Sequence, residues 1–250
     1  MKQQRHLTSK MEPFDSFWEG PEDVEKGYHS FYLFYRENYL PYVPSDKAAR
    51  ILVISCGPGY FVNLLAREGY TRVTGIDSFS EKVAHGCRHG LNCQAAEAFD
   101  YLENSTVPFD LIFCEQELNH LSKDEILEFL KLCHSKLADS GKLIAHALNG
   151  ANPITGAEAL AQNFDHQNTF TEYTMRQVLS FCHFTDIEVF PLNLYVFYKN
   201  PLNYVLIVLS ALYTAFFRFS FLLYGKKNKL FTKKIGDVAS KGPVPIAPEG

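Results

Sequence analysis

The chain reads as an α/β fold, a mostly parallel sheet flanked by helices. Three observations predict this. Short apolar runs rich in β-branched residues alternate with segments of helical periodicity. The first run, Arg50–Ile54, leads into a tight loop, Ser55-Cys56-Gly57-Pro58-Gly59. The second run stops at an acid, Asp77. Strands and helices alternating in this way form right-handed βαβ units and a Rossmann-like sheet. An N-terminal aromatic helix and a C-terminal apolar helical extension are expected beside it.

The elements follow in order. Residues 1–20 read as a loose arm. Residues 22–40 read as a helix, with Tyr28, Phe31, Tyr32 and Tyr35 on one face. That face either packs on the core or closes over a ligand. Pro41 and Pro44 end the helix. Residues 50–54 suit a strand buried on both faces. Residues 60–68 read as a helix that Gly69 ends, and 73–76 as a strand. Then come a helix at 80–89, a weak strand at 93–95 and a strong strand at 109–114. A helix at 123–137 has Ser122 as N-cap and Glu125 in capping-box position. Gly141 opens a strand at 142–147. Thr171 caps a helix at 171–182, and 185–190 is a strand. No internal repeat is present.

The last segment differs. Asn200-Pro201 suits an N-cap followed by the first helical residue. Residues 202–224 are almost wholly apolar and aromatic. Asn203, Ser210, Thr214 and Arg218 would form one narrow polar stripe on that helix. Gly225 ends it, and Lys226, Lys227, Lys229, Lys233 and Lys234 follow. The helix is about 34 Å long, enough to cross a bilayer. Arg218 and the stripe favour a helix lying in the membrane surface with a basic flank. Packing on the domain or on a second subunit is the other reading. The expected organisation is an arm and covering helix at 1–45, a core domain at 46–199, the apolar helix with its basic flank at 200–241, and a disordered Pro- and Gly-rich tail at 242–250.

Composition narrows the function classes. A chain of 250 residues holds one such domain with additions. A net charge of −4 gives no general attraction to nucleic acid. Cys56, Cys87, Cys93, Cys114, Cys133 and Cys182 include no C-x-x-C pair and sit in apolar patterns, so reduced, buried thiols are expected. His85, Cys87 and His89 lack a second ligand pair, so no metal site is expected. The polar residues 1–10 are not a signal peptide.

In open α/β sheets, ligands sit outside the carboxyl ends of the strands. Gly57 and Gly59 lie there and lack a Cβ, so the backbone can approach a ligand closely. Asp77 follows Gly59 by 18 residues and can accept hydrogen bonds from both ribose hydroxyls of an adenosine group. A dinucleotide site has a third glycine where this chain has Val62.

Ile51-Leu52-Val53-Ile54-Ser55-Cys56-Gly57-Pro58-Gly59 resembles the first motif of class I S-adenosylmethionine (SAM)-dependent methyltransferases. Gly69-Tyr70, Val73 and Gly75-Ile76-Asp77-Ser78 continue the resemblance. Ala96-Glu97-Ala98-Phe99 resembles that family's segment after strand three, and Phe109-Asp110-Leu111-Ile112 its fourth-strand motif. The likeness covers about residues 48–190. It implies SAM as cofactor, held by Ser55, Cys56, Gly57, Gly59, Asp77, Ser78, Glu97, Ala98, Glu115 and Gln116. Glu97 would meet the adenine amino group. The chain departs from the family at Val53, where an acid is common, and at Ser55, where glycine is common. Gln116 and Asn119 replace the acids of a D-x-x-E-H stretch, while His120 remains.

Methyl transfer from a sulfonium is an in-line displacement, so the protein mainly aligns the acceptor and excludes water. A hydroxyl acceptor gains about 10²–10⁴-fold from a general base. His120 and His166 are the expected catalytic residues, one of them taking the acceptor proton. His146 is expected to pack inside its strand, and His134 to be an ordinary helix residue. The stretch Phe164-Asp165-His166-Gln167-Asn168-Thr169-Phe170-Thr171 resembles some methyltransferases of bacterial polysaccharide assembly. That resemblance implies O-methylation of a sugar or lipid-linked glycan acceptor. A quinone or other isoprenoid phenol is the alternative acceptor. A non-catalytic, membrane-associated SAM-binding protein and an NAD-dependent oxidoreductase are the readings from other classes. The expected partners are the acceptor and a membrane surface contacted through 201–234, with a homodimer left open and no nucleic acid. The expected location is cytoplasmic, peripheral on the inner face of the membrane.

Overall fold

The apolar runs come together as one sheet in the computed structural model, which describes residues 21–115, 117–162, 166–193, 201–225 and 228–243. Its strands are β1 (Arg50–Ile54), β2 (Arg72–Asp77), β3 (Cys93–Ala95), β4 (Phe109–Glu115), β5 (Leu137–Leu148), β6 (Phe184–Pro191) and β7 (Lys234–Lys241). They lie in the order β3-β2-β1-β4-β5-β7-β6. Strands β1 to β5 are parallel to one another, and β7 runs antiparallel between β5 and β6. The expected Rossmann-like architecture is therefore present.

The helices are α1 (Pro21–Asn38), α2 (Tyr60–Arg67), α3 (Ser80–Arg88), α4 (Ala98–Asn104), α5 (Glu117–His120), α6 (Lys123–Lys136), α7 (Pro153–Gln162), α8 (Glu172–Phe181) and α9 (Leu202–Leu223). A 3₁₀ turn, Leu40–Tyr42, closes the α1 segment. The capping box of Ser122 and Glu125 forms, and Thr171 caps α8 through the backbone of Thr174. Helices α4, α5 and α7 are additional to the sequence expectation. They are short, and short apolar segments carry little periodicity.

Alternating strand residues feed two cores. Leu52, Ile54, Ile112, Cys114 and Leu143 face one side, where Phe129, Leu130, Met175 and Leu179 pack. Ile51, Val53, Leu111, Phe113 and Ile144 face the other, under Phe34, Tyr35 and Tyr39 of the α1 segment and Phe61 of α2. The aromatic stripe of α1 is thus largely core: Tyr28 and Tyr35 are buried, Phe31 and Tyr32 half-buried.

The segment 226–241 corrects the sequence reading. Lys234 does not belong to a basic flank of the apolar helix; it opens β7, which fills the sheet between β5 and β6. Gly236 and Asp237 interrupt the apolar run and hide the strand. Gly236 is needed there, because a Cβ would lie 2.6 Å from the Phe190 ring. The tail reading for 242–250 falls mostly on residues outside those described. Gly242 itself is held by His134, whose Nε2 donates to its carbonyl at 2.8 Å. The arm at 1–20 and the N-cap Asn200 also lie outside the described residues.

Asp237 is wholly buried, and neither carboxyl oxygen has a hydrogen-bond partner among the described residues. Burial pushes its carboxyl well above the usual range, which the neighbouring Ala145 backbone offsets only in part. A raised folded-state value means this carboxyl stabilises the fold fully below its unfolded value, and that contribution is lost as pH rises through the folded value. Asp237→Asn removes the titration. The wild-type Tm is expected to fall more than that of Asp237→Asn as pH is raised from about 5 to about 8. Thermal unfolding of both proteins across that range checks it, and parallel pH curves would contradict it.

Candidate functional site

The strand register builds the site. Ile54 is paired with Ile76 on one side and with Cys114 on the other, and Glu115 with His146. Asp77, Ser55, Glu115 and His146 therefore stand side by side at the carboxyl edge of β2, β1, β4 and β5. Strands lie about 4.8 Å apart, so the row from Asp77 to Glu115 covers roughly 10 Å.

The loop after β1 is held open by three left-handed residues: Ser55 at φ 55°, Gly57 at 51° and Gly59 at 85°. For Ser55, where glycine is common in the resembled family, that conformation costs about 1–2 kcal/mol. The two glycines serve different ends. A Cβ on Gly57 would meet nothing within 4 Å, so its backbone borders open space that a ligand can use. A Cβ on Gly59 would press at 3.0 Å on Cys93 Sγ and Leu91, so this glycine permits packing rather than ligand approach. That corrects the expectation that both approach a ligand. Tyr28 of α1 donates to the Pro58 carbonyl at 2.6 Å and pins the loop from above.

Asp77 links loop and strand. It accepts from the Gly57 N–H at 2.8 Å and the Phe79 N–H at 2.9 Å. Burial raises its carboxyl, while those two N–H groups and Lys82 oppose the rise. A carboxylate has about four acceptor positions, so two remain for hydroxyls. Ser78 follows it, half-buried. Glu97 is exposed at the N-cap of α4 and close enough to raise Asp77, with buried Ala98 as the first helical residue. Cys56 is buried, and its hydrogen bond with Cys93 and its burial push the thiol up, so it stays protonated. The open space at Gly57, the carboxylate beside it and Glu97 farther along fit an adenosine group.

Glu115 belongs to a polar network that the sequence reading missed. It accepts from the Tyr35 hydroxyl. His146 Nδ1 lies 3.8 Å from its other oxygen and shares a 2.9 Å hydrogen bond with the Tyr39 hydroxyl. His146 packs, as expected, but as a polar member of this buried group. Burial holds its imidazole well below the usual range, so it is neutral. Tyr35, Tyr39, Glu115 and His146 tie α1 across the mouth of β4 and β5. Gln116 lies outside the described residues.

His120 and His166 meet beyond β4. Their ring centroids are 4.8 Å apart, with the planes at 58°. His120 ends α5 and is buried, while His166 is half-buried. His166 Nδ1 donates to the Ala159 carbonyl of α7 at 2.8 Å, which leaves Nε2 with the lone pair of a neutral ring. The segments are stitched together at Asn119. Its carbonyl accepts from Gln167 N at 2.8 Å, and its side chain donates to the Asn168 carbonyl at 2.9 Å while accepting from Leu148 N at 3.4 Å. A carboxylate could not make that donation, so the amide suits a structural duty here. Among the described residues no cluster of His, Cys, Asp or Glu could hold a metal ion.

Residues 51–141 match the family described as a methyltransferase domain. Two relatives from Xylella fastidiosa, strains M23 and Temecula1, are named ubiquinone biosynthesis O-methyltransferase. Each is 32% identical over 148 residues, 56% of this chain and 58% of its own length. The chain thus spans little more than half the length of these curated relatives. Among solved structures, a SAM-dependent methyltransferase from Archaeoglobus fulgidus gives a TM-score of 0.65 at 20% identity, over 91% of this chain and 98% of that one. A possible histamine N-methyltransferase from Thermotoga maritima gives 0.61 at 13%, over 92% and 99%. Phosphoethanolamine N-methyltransferase 2 of Haemonchus contortus, in complex with SAM, gives 0.60 at 14%, over 93% and 60%. These structures share the fold. Residues 51–141 thus match a methyltransferase domain, on a fold shared with SAM-dependent methyltransferases.

Proposed function

We propose that the whole chain is a SAM-dependent O-methyltransferase acting on a hydroxyl of a lipid-borne acceptor. The observation that carries this reading is the His120–His166 pair beyond β4, with His166 Nδ1 committed to Ala159. SAM supplies the electrophilic methyl group when bound. Asp77 holds the ribose hydroxyls, and Gly57 gives the close backbone approach. Glu115 takes the methionine end, with Tyr35 and Tyr39 shutting water out under α1. Nε2 of His166 accepts the acceptor's hydroxyl proton as the oxygen attacks. His120 packs against the His166 ring and sets its angle.

A prenylated phenol is the favoured acceptor. The Xylella relatives are named for O-methylation in ubiquinone biosynthesis. The sugar alternative rests on the stretch 164–171, of which Phe164 and Asp165 lie outside the described residues. Methyl-labelled SAM, incubated with the protein and a membrane extract, tests the choice. Label is expected in hydroxylated prenyl phenols of the organic phase. Label confined to carbohydrate would overturn the acceptor, and no incorporation would overturn the transferase.

A further inference from the structure

We propose that the outward face of α9 docks into the surface of an anionic lipid bilayer, with the helix axis in the membrane plane. The helix is inserted between β6 and β7. Of its polar stripe, Arg218 alone is exposed. Asn203 is buried and Ser210 and Thr214 are half-buried, on the side that meets the domain. The Tyr213 hydroxyl lies 3.4 Å from Asn152 Oδ1, and the Phe221 and Phe231 rings meet at 4.8 Å with their planes at 59°. The other side is apolar and bare: Leu212, Phe216, Phe219 and Leu222 are 62%, 62%, 59% and 66% exposed. Only Arg218, at its margin, carries charge.

The width of that bare face selects the occupant. At 100° per residue, the domain-facing positions fall within an arc of about 120°, and the exposed ones cover about 200°. A partner helix from a second copy fills a narrow seam, about two positions in seven. Most of the arc would stay in water. A fluid apolar phase covers it all. Charge agrees. Lys226, Lys227, Lys229 and Lys233 follow the helix in a chain of net charge −4, and Lys229 and Lys233 are exposed. Tyr204 and Tyr224, near its two ends, are highly exposed, as suits rings at headgroup level.

The sheet decides against a span. Pro191 at the end of β6 pairs with Ile235 at the start of β7, so the chain leaves and re-enters the sheet at one place. A single crossing would put the two ends of α9 on opposite sides of a core about 30 Å thick. Contacts to the domain at Tyr213 and Phe221 hold the helix along the protein instead. The docking gives the proposed lipid-borne acceptor a route, because Asn152 adjoins α7, whose Ala159 holds His166. Vesicle binding is read without methyl transfer, so failure of the docking and failure of the transferase are distinguishable.

The test is co-sedimentation of the full chain with phosphatidylcholine vesicles, with and without phosphatidylglycerol. Binding to the anionic vesicles is expected. It should weaken roughly tenfold or more in Lys229→Glu/Lys233→Glu, each charge contributing at the surface. Leu212→Glu/Phe216→Glu should abolish it with Tm retained, since both side chains point away from the fold. Tryptophan at 205, 212 and 219 (Val205→Trp, Leu212→Trp, Phe219→Trp) should be quenched equally by chain-brominated lipid. No binding to anionic vesicles would overturn the proposal. So would a dimer that Leu212→Glu/Phe216→Glu disperses while the wild type ignores lipid, or Leu212→Trp lying far deeper than the other two.

Discussion

His166→Ala is expected to lower kcat by about 10²–10⁴-fold, the usual worth of a positioned general base. Cofactor affinity should hardly change, because His166 stands beyond β4 and β5, away from Asp77 and the glycine loop. Stability should fall by about 0.5–1.5 kcal/mol, for the lost hydrogen bond to the Ala159 carbonyl. His120→Ala should invert the balance. Its ring is buried, so its removal lowers Tm more, while kcat suffers only through the freed angle of His166. Steady-state kinetics and calorimetry on both variants separate the two roles. Full turnover in both would remove histidine from the chemistry.

Asp77→Ala is expected to weaken binding of S-adenosylhomocysteine by about 10–100-fold. Hydrogen bonds to a charged group contribute about 1.5–3 kcal/mol each. The same substitution frees the N–H groups of Gly57 and Phe79, so the loop itself loosens and Tm falls. Asp77→Asn distinguishes the two losses. It keeps an acceptor for one N–H and has the same shape, but it has no charge to offer the ribose. Its Tm should fall between those of Asp77→Ala and wild type, because one of the two N–H groups then faces an amide nitrogen, while its affinity stays low. Isothermal titration of the three proteins reads this directly. An Asp77→Asn variant with wild-type affinity would place the ribose elsewhere.

Local features of this fold are legible in the sequence. The loop from Ser55 to Gly59, the acid ending β2 and the capping box at Ser122 are each set by residues within a few positions of one another. Tyr35, Glu115, Tyr39 and His146 come together across separations of 80 and 107 residues, and nothing local marks them. Strand β7 is hidden in the sequence because Gly236 answers to the Phe190 ring and Asp237 is a buried acid in a core position. Asn119 reads in sequence as a missing acid, yet it is an amide that both donates and accepts. The stripe of Asn203, Ser210 and Thr214 was visible, but which side of α9 meets the domain depends on contacts with Asn152 and Phe231.

The row from Asp77 through Ser55 to Glu115 is expected to hold the adenosyl group of the cofactor and of its demethylated product. Titrating the full chain with S-adenosylhomocysteine, and separately with NAD, tests it most directly. One-to-one binding of S-adenosylhomocysteine and none of NAD is the predicted result. Binding of NAD with no response to S-adenosylhomocysteine would contradict it.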